Sequence, residues 1–421
     1  MDNNKELQYI LDCIENNQSV FITGPAGTGK TYLIKALQKI LREKNINAVL
    51  TSTTGINALS IEGVTIHKFM GIGIQTSSSY LYVLKKSPFY KNICHRIMAT
   101  DVIIIDEISM LRGDTFELIN LVLQDVCNTK QPFGGKTMIF TGDFFQIPPV
   151  VKSWEEKQSQ WIFQSDAWIS GNIKPVILKN IFRQNDITFS NFLNNIRWGI
   201  VDKNIKKIIN ECLERKLPPD TTYFFSTRDE CDSWNNECLA KIDEPEFAFN
   251  AKVSASSKNV NKNFIMKDCI AKQTLILKKG AKVVSIVNDP SGKYVNGSEG
   301  VVTKITPLGV NVKFLNGDET HVIKPFTWQL VDADGKVYAK IKQIPLLPSF
   351  ALTIHKSQGM TLEHAIVDCK NIFASGQLYV ALSRVRKLEN LKIINFKMDQ
   401  IIVNKEVTAY YKKLEKNYTL K

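Results

Sequence analysis

No apolar run in the 421-residue sequence is long enough to cross a bilayer. The amino terminus, Met1-Asp2-Asn3-Asn4-Lys5-Glu6, lacks the basic segment followed by an apolar stretch that marks a secretory signal. It also lacks the arginine-rich, acid-poor composition of a transit peptide. From these absences we expect an intracellular protein of the cytoplasm or nucleus, neither secreted nor bound to a membrane.

Paired metal ligands are also absent from the sequence. Its eight cysteines are scattered without a Cys-x-x-Cys pair, and its five histidines do not lie beside them at zinc-binding spacings. In a chain of this length, such a distribution indicates reduced, mostly buried thiols and predicts neither a disulfide framework nor a zinc site.

Acidic residues are fewer than basic ones: 41 Asp and Glu against 54 Lys and Arg, which gives a net charge of +13. A basic excess suits a polyanionic partner, although many basic proteins bind none, so charge alone identifies no ligand. Apolar residues make up 44% and charged residues 23%, an ordinary globular composition, and the length predicts two or three domains.

The first third of the chain alternates short apolar runs with amphipathic segments, a pattern typical of a parallel α/β sheet. The expected strands are residues 20–23, 48–51, 102–105 and 137–140. An amphipathic helix is predicted from residue 31 to about residue 44. The polar stretch of residues 76–82 suggests a small excursion from the sheet.

The sequence changes character between Leu275 and about Gln343. Short β-type runs there are separated by the turn-forming pairs Asp289-Pro290, Asn296-Gly297 and Asn316-Gly317, which predicts a small antiparallel β module. An α/β pattern returns after Pro348, continues to Phe396 and is followed by a basic helical tail.

A phosphate-binding pattern, G-x-x-x-x-G-K-[ST], lies between the first predicted strand and the first predicted helix. Its residues are Gly24-Pro25-Ala26-Gly27-Thr28-Gly29-Lys30-Thr31. In this context, backbone N–H groups curl around phosphates at the amino terminus of the helix. Lys30 is expected to reach the β and γ phosphates, and the Thr31 hydroxyl is expected to bind Mg²⁺. A glycine-rich turn without a ligand is the weaker interpretation here.

Asp106 and Glu107 close the apolar run of residues 102–105. A carboxylate at that position binds Mg²⁺ opposite the phosphate loop, and its neighbour orients or deprotonates the attacking water. Acidic residues at a strand end are more often solvated, but the loop upstream favours the catalytic interpretation. The two motifs together predict a nucleotide triphosphatase and do not say what it moves.

Further blocks extend the pattern over most of the chain. In order, they are Thr51-Ser52-Thr53-Thr54-Gly55 with Gly63-Val64-Thr65-Ile66-His67-Lys68-Phe69, Ile105-Asp106-Glu107-Ile108-Ser109-Met110, Pro132-Phe133-Gly134-Gly135 with Gly142-Asp143-Phe144-Phe145-Gln146-Ile147-Pro148-Pro149-Val150, Phe182-Arg183-Gln184, Ile354-His355-Lys356-Ser357-Gln358-Gly359-Met360-Thr361-Leu362, and Tyr379-Val380-Ala381-Leu382-Ser383-Arg384. With these blocks the sequence resembles the Pif-one helicases of the RecD-like branch of superfamily one. The resemblance extends from about Gln8 to Phe396 and is weak between roughly residues 200 and 275.

The resemblance implies an α/β fold with two RecA-like P-loop NTPase lobes, whose parallel sheets are flanked by helices, facing each other across one ATP. The first lobe is expected over residues 1–172, with a small wedge insertion at about residues 67–83. The second lobe is expected over residues 173–265 and 345–421. A small β-barrel insertion is expected over residues 266–344.

For the nucleotide, the resemblance implies that Gln146 senses the γ phosphate, since an amide reports phosphate without carrying charge. Arg183 and Arg384 would act as arginine fingers on the transferring phosphoryl group. Gly359 would contact the nucleotide. Gln8 lies near where the family places a glutamine that reads adenine, and a helix-surface glutamine fits that position almost as well.

For the strand, the resemblance implies contacts from residues whose side chains donate hydrogen bonds, namely Thr53, Thr54, His67, Thr353, His355 and Lys356. Donors suit phosphate contacts, and the Phe69 ring would add base stacking that tolerates any sequence. For His67 and His355, a core histidine is an equally good interpretation.

The expected function is that of an ATP-dependent DNA helicase that moves 5′ to 3′ on single-stranded DNA and unwinds duplex or structured DNA. Its expected partners are single-stranded and forked DNA, its cofactors are ATP and Mg²⁺, and a monomer is expected in the absence of DNA. Two other functions remain open: an RNA-directed or branch-migrating translocase, and a non-motor ATPase switch. Strand-stimulated ATP turnover distinguishes these classes, because a switch should show little.

Overall fold

The computed structural model describes residues 5–73, 77–149, 161–184, 186–219, 221–255, 266, 271–289, 291, 293–306, 308–315, 319–331, 337–416 and 418. These residues form two compact units. The first consists mainly of the described residues up to Phe182 and from Asn404 onwards, and the second of those from Arg183 to Leu330 and from Val337 to Val403. Within these ranges, every helix is too short or too polar to span a bilayer.

A parallel sheet of six strands organises the first unit. Its strands are β1 (Val20–Thr23), β2 (Ala48–Ser52), β3 (Val64–Thr65), β4 (Val102–Asp106), β5 (Thr137–Gly142) and β6 (Lys174–Ile177). They lie in the order β3-β2-β4-β5-β1-β6 and pair in parallel. The four predicted strands are therefore confirmed, and β4 and β5 are buried along their whole length, as central parallel strands are.

The first unit also contains helices, several of which cover this sheet. They are α1 (Lys5–Glu15), α2 (Lys30–Glu43), α3 (Gly55–Ser60), α4 (Ile66–Met70), α5 (Tyr80–Lys85), α6 (Tyr90–Met98), α7 (Gly113–Val126), α8 (Asp166–Ser170) and α13 (Lys405–Lys416), with 3₁₀ turns at Ile108–Met110, Pro132–Gly135 and Ile162–Gln164. The predicted amphipathic helix is confirmed as α2. Its apolar face joins α1, β1 and β4 in one core cluster that includes Ile10, Ile34 and Ile104. A parallel sheet covered by helices is the expected RecA-like arrangement.

Where it is described, the predicted excursion of residues 76–82 contains the start of α5, and the expected wedge of about residues 67–83 also contains most of α4. Residues 74–76 lie outside the described ranges. Helices α5 and α6 are attached to α7, because Lys85 forms a 2.6 Å ion pair with Asp125 and the Tyr90 hydroxyl donates to the same carboxylate. Its role as a wedge stays a prediction.

A second parallel sheet lies in the second unit, with strands β7 (Thr222–Phe225), β18 (Ala351–Thr353), β19 (Ala365–Asp368) and β20 (Leu391–Ile394) in the order β18-β7-β19-β20. The helices of this unit are α9 (Ile187–Trp198), α10 (Lys203–Glu214), α11 (Arg228–Ala240) and α12 (Gln377–Leu382), with 3₁₀ turns at Leu388–Asn390 and Met398–Gln400. The α/β pattern predicted after Pro348 therefore forms the edge and centre of this sheet.

The predicted β module is present in the second unit. It contains β8 (Phe247–Asn250), β9 (Lys252–Ala255), β10 (Thr274–Leu277), β11 (Lys282–Ser285), β12 (Glu299–Thr306), β13 (Gly309–Phe314), β14 (Thr320–Ile323), β15 (Phe326–Val331), β16 (Val337–Gln343) and β17 (Leu346–Pro348). They form sheets in the orders β14-β13-β12-β11-β17, β15-β16-β9 and β10-β8. The module extends beyond the expected residues 266–344 at both ends. Before residue 266, β8 pairs with β10 and β9 pairs with β16. After residue 344, β17 pairs with β11.

The carboxyl-terminal helix α13 departs from the expected lobe boundaries. We expected residues up to 421 to complete the second lobe, but α13 belongs to the first unit. The physical reason is an aromatic contact: Tyr411 stacks on Phe145 with ring centroids 4.8 Å apart, and Tyr410 stacks on Phe163 at 4.4 Å. One buried ring and one half-buried ring anchor the helix to the first unit.

Candidate active site

The loop of residues 24–29 leaves β1 and enters α2 with an unusual backbone. Gly29 has a left-handed φ of 79° at the helix start, a conformation that glycine adopts without strain. A Cβ on Gly24 would lie 2.4 Å from the carbonyl oxygen of Leu178, so a larger residue there would collide with backbone. Gly24 and Gly29 are therefore required by geometry, and the loop leaves backbone N–H groups at the amino terminus of α2.

Lys30 folds back over this loop. Its Nζ donates to the carbonyl oxygens of Gly24 at 2.8 Å and Pro25 at 3.0 Å, and the side chain is buried. The Thr28 hydroxyl donates to the same Pro25 oxygen at 3.0 Å. These bonds hold the ammonium group against the loop that carries the expected phosphate donors.

Asp106, the last residue of β4, lies beside the start of α2. Its Oδ2 accepts a hydrogen bond from the Thr31 hydroxyl at 3.3 Å, and its Oδ1 accepts from the Glu107 N–H at 2.9 Å and from the Thr141 hydroxyl. Burial raises the pKa of the Asp106 carboxyl group, and the hydrogen bonds and the Lys30 charge oppose that shift. The structure thus brings together the two oxygen ligands expected for Mg²⁺, a hard cation that prefers such donors.

Glu107 has a left-handed backbone, with a φ of 55° and a ψ of 45°, where the strand passes into a 3₁₀ turn. A non-glycine residue adopts this conformation at a cost of about 1 kcal/mol, so surrounding contacts must hold it. One such contact is the Thr53 hydroxyl, which donates to the Glu107 carbonyl oxygen at 3.0 Å. The predicted strand-contacting block is therefore joined directly to the predicted water-orienting residue.

The loop after β5 carries Gln146 to the same edge of the sheet. Since β4, β5 and β1 are neighbours, their carboxyl ends meet there. The Gln146 N–H donates to the Asp143 carbonyl oxygen at 2.9 Å, and the Phe145 N–H donates to the Asp143 carboxylate at 3.2 Å. All three side chains are buried. The block was predicted to end at Val150, which lies outside the described residues.

Arg183 and Arg384 meet within the second unit. Arg183 Nη1 donates to the Ser383 carbonyl oxygen at 3.2 Å, and Arg384 Nη2 donates to the Ser383 hydroxyl at 2.6 Å. Arg384 is 2% exposed, and its Nε also donates to the Val380 carbonyl oxygen at 2.7 Å. Both guanidinium groups donate hydrogen bonds to backbone or hydroxyl oxygens of the turn at Ser383, so neither is an ordinary solvated surface arginine.

Phe182 was not singled out from the sequence. Its ring is 72% exposed, although its backbone N–H donates to the Gly27 carbonyl oxygen at 2.9 Å. Ring atoms lie 3.6 Å and 3.7 Å from the position that a Cβ on Gly29 would take. An exposed aromatic ring beside a phosphate loop is a candidate platform for a base. The available signal was an aromatic residue directly before Arg183.

Gln8 and Gly359 lie at the surface. Gln8 is exposed on α1, where its Nε2 donates to the Asp12 carboxylate at 2.8 Å, as a helix-surface glutamine does. Gly359 is exposed in the second unit with a φ of 83°, and a Cβ there would meet no atom within 4 Å. The nucleotide contacts expected of both residues stay predictions.

Thr54 of the first strand-contacting block, and Thr353 directly before the block that begins at Ile354, shape their own turns. The Thr54 hydroxyl accepts from the Asn57 N–H at 3.2 Å at the start of α3. In the second unit, the Thr353 hydroxyl accepts from the Lys356 N–H at 3.3 Å. Both blocks are therefore turns with preset hydroxyl positions.

His67, His355 and Lys356 are half-buried. For the two histidines, this exposure fits neither a fully buried core residue nor a fully exposed strand contact. Burial lowers the pKa of both His67 and His355, so both imidazoles are neutral at neutral pH. Burial also lowers the pKa of Lys356, and the nearby charges of Arg228 and Lys272 lower it further.

The expected base-stacking role of Phe69 does not fit the structure. Its ring is 2% exposed, with the guanidinium carbon of Arg96 5.8 Å from the ring centroid, so it presents no open face to a base. Arg96 also binds the backbone here, because its Nε donates to the Phe69 carbonyl oxygen at 2.7 Å. Phe69 packs as a core residue of α4.

Comparison with known proteins decides the family. A family model described as PIF1-like helicase matches residues 2–207. The ATP-dependent DNA helicase Pif1 of Bdellovibrio bacteriovorus is 32% identical over 406 residues, which cover 96% of this chain and 90% of that protein. The chain belongs to the PIF1-like helicase family. It is also 32% identical to the human ATP-dependent DNA helicase PIF1, of whose length it spans 64%.

Solved structures of PIF1-like helicases agree with this assignment. Pif1 of a Bacteroides species, in complex with ADP-AlF4, has a TM-score of 0.87 at 29% identity, covering 99% of this chain and 98% of that one. Pif1 of Candida albicans has a TM-score of 0.79 at 32% identity, covering 98% of this chain and 100% of that one. The expected RecA-like fold class is thereby confirmed over nearly the whole chain.

Proposed function

We propose that this protein hydrolyses ATP to move along single-stranded DNA and to unwind duplex or structured DNA. The observation that carries the proposal is the 3.0 Å hydrogen bond from Thr53 to the carbonyl oxygen of Glu107. It links a strand-contacting turn to the residue that would orient the attacking water, and a phosphate-gated switch needs no such link. The Pif1 of Bacteroides has been solved bound to single-stranded DNA, which supports the same choice.

Hydrolysis in this proposal uses the residues gathered at one edge of the first sheet. Lys30 and the N–H groups of the phosphate loop bind the phosphates, and Glu107 orients the water. Thr31 and Asp106 offer oxygen ligands that fit Mg²⁺, which when bound neutralises charge on the phosphate oxygens. Gln146 contacts the γ phosphate through its neutral amide.

The remaining nucleotide contacts are assigned on the resemblance and on exposure. Arg183 and Arg384 supply positive charge to the transferring phosphoryl group. Phe182 offers its exposed ring to the adenine, Gln8 also contacts the adenine, and Gly359 approaches the nucleotide through its backbone. The nucleotide base is then held by stacking, which requires no charge.

The strand contacts in this proposal are Thr53, Thr54, His67, Thr353, His355 and Lys356. The neutral imidazoles, the Lys356 ammonium group and the Thr54 and Thr353 hydroxyls donate hydrogen bonds to phosphate without reading bases, so binding is independent of sequence. The net charge of +13 adds attraction that weakens with salt. Movement is 5′ to 3′, as in the RecD-like branch, and the protein is a monomer without DNA.

Strand-stimulated ATP turnover tests the proposal. We expect oligo-dT to raise the steady-state ATPase rate at least about tenfold, and Lys30→Ala and Glu107→Gln to lower it about a hundredfold or more. Glu62→Gln is the matched control, because Glu62 is an exposed glutamate that also has a left-handed φ, of 58°. An ATPase rate that is unchanged by DNA would favour the non-motor ATPase switch. Stimulation by oligo-U alone would favour the RNA-directed translocase.

A further inference from the structure

The carboxyl-terminal helix α13 places one hydroxyl group at the edge of the candidate active site. Tyr411 is 2% exposed, and its ring stacks on Phe145 with an interplanar angle of 20°. Its hydroxyl lies 2.6 Å from the Thr23 hydroxyl, a contact between residues 388 positions apart. Thr23 is the last residue of β1, directly before Gly24 of the phosphate loop.

The same hydroxyl also contacts the loop that follows β5. It accepts a hydrogen bond from the Phe144 N–H at 3.1 Å and donates to the Asp143 carboxylate at 3.4 Å. Because the Tyr411 hydroxyl donates its hydrogen bond to Asp143, the Thr23 hydroxyl must be the donor in its contact with the Tyr411 oxygen. Each hydroxyl of the cluster then donates one hydrogen bond. One side chain thus joins the ends of β1 and β5.

Asp143 in turn builds the turn that carries Gln146. Its carboxylate accepts from the Phe145 N–H at 3.2 Å, and its carbonyl oxygen accepts from the Gln146 N–H at 2.9 Å. The path from Tyr411 through Asp143 to Gln146 therefore consists of hydrogen bonds of 3.4 Å and 2.9 Å between buried residues. Buried networks of this kind restrict the positions of their members.

We propose that Tyr411 is a positioning residue for ATP hydrolysis: its hydroxyl sets the position of the Gln146 turn relative to the phosphate loop. This inference rests on the proposed role of Gln146 as the γ-phosphate contact. It makes the carboxyl-terminal helix a working part of the triphosphatase. Geometry of this kind affects the transition state more than nucleotide binding, because a small displacement of a catalytic group lowers rate steeply.

Packing of the Tyr411 ring alone is the competing explanation, and substitution by phenylalanine separates the two. Tyr411→Phe keeps the ring on Phe145 and removes the hydroxyl. Tyr410→Phe is the matched control, because it removes a hydroxyl from the adjacent residue, whose ring stacks on Phe163. We expect Tyr411→Phe to lower the DNA-stimulated kcat about threefold to tenfold with KM for ATP within about twofold, since one hydrogen bond is lost. Tyr410→Phe should leave kcat within about twofold of the parent.

Two further variants test the path. Thr23→Ser keeps a hydroxyl at the Tyr411 contact and should retain kcat, whereas Thr23→Val should resemble Tyr411→Phe. In a Gln146→Ala background, Tyr411→Phe should have little additional effect, because groups that act as one unit are not additive.

The proposal is overturned if Tyr411→Phe matches Tyr410→Phe in kcat, or if its effect is equally large with and without Gln146. Circular-dichroism melting of every variant accompanies the kinetics, and a kcat loss that follows the melting temperature would also overturn it. Failure of the proposed Gln146 role is distinguishable, because Gln146→Ala alone would then keep the parent kcat.

Discussion

At the scale of single residues, the Asp106 carboxylate organises the candidate active site. It accepts hydrogen bonds from the Thr31 and Thr141 hydroxyls and from the Glu107 N–H, and it is 3% exposed. The ordinary alternative is a solvated acid at a strand end. Such an acid would be exposed to water and would not accept hydrogen bonds from several protein donors. Asp106 is therefore held by the protein in one orientation, as a metal ligand is held by its surrounding hydrogen bonds.

Phe182 gives a residue-scale prediction about nucleotide affinity. Phe182→Ala is expected to raise KM for ATP about tenfold, because base stacking on an aromatic ring contributes about 1–3 kcal/mol. The turnover number at saturating ATP should stay within about twofold, since stacking is similar in ground and transition states. Steady-state kinetics over an ATP series measures both constants.

Two variants control that measurement. Phe182→Tyr keeps the ring and should keep KM. Phe89→Ala removes another ring of the first unit that is 70% exposed, and it should not change KM. Equal KM values for Phe182→Ala and the parent protein would remove Phe182 from the nucleotide site.

Residue positions were predictable from the sequence where a motif dictates them. The phosphate loop, Asp106 and Gln146 were named from spacing alone or from the family blocks, and the strand order brings them to one edge. The burial of Phe69 was missed because a single aromatic after a turn reads the same whether it faces core or solvent. The left-handed backbone of Glu107 leaves no mark in the sequence, since it is held by distant contacts such as Thr53.

At the scale of elements, a buried ion pair fastens the β module to the second sheet. Lys282 of β11 lies 2.9 Å from Glu299 of β12, with side chains 5% and 3% exposed. Both groups bond to the Thr222 hydroxyl of β7, and the Glu363 N–H donates to Glu299 at 3.4 Å. Glu363 directly follows the predicted strand-contacting block that ends at Leu362, so module and block share one polar network.

Breaking this pair from one side should destabilise the second unit. Glu299→Gln is expected to lower the free energy of unfolding by about 3–5 kcal/mol, because it leaves the Lys282 charge buried without its counter-ion. Replacing both residues, as in Lys282→Met with Glu299→Leu, should cost less than the single change. Urea denaturation measures the difference.

An exposed ion pair of the same unit provides the control. Lys279 and Glu244 lie 3.1 Å apart with side chains 60% and 36% exposed, so Glu244→Gln should change stability by less than about 1 kcal/mol. A Glu299→Gln variant as stable as Glu244→Gln would show that the buried pair does not fasten the module.

Elements were predictable where their pattern is local. Apolar runs of four residues predicted four of the six strands of the first sheet, all but β3 and β6, and the amphipathic period predicted α2. The pairing of β8 and β9 with strands far along the chain was not predictable, because register depends on contacts between distant segments. The position of α13 on the first unit was not predictable for the same reason, because a basic amphipathic pattern does not indicate which surface the helix packs against.

At the scale of the whole molecule, two units with parallel sheets and one β module account for the described chain. The chain spans 90% of the Bdellovibrio relative and 64% of the human one. The direction of movement is a property of the whole molecule, because it depends on which strand contact is released first.

Unwinding of tailed duplexes tests the central claim most directly. The same duplex is placed behind a single-stranded 5′ tail or a 3′ tail, and strand separation is followed with ATP and Mg²⁺, with Glu107→Gln as the inactive control. The account predicts efficient opening from the 5′ tail, little from the 3′ tail, and none by Glu107→Gln. Opening from the 3′ tail alone would contradict the polarity, and failure on both tails would contradict the proposed helicase activity.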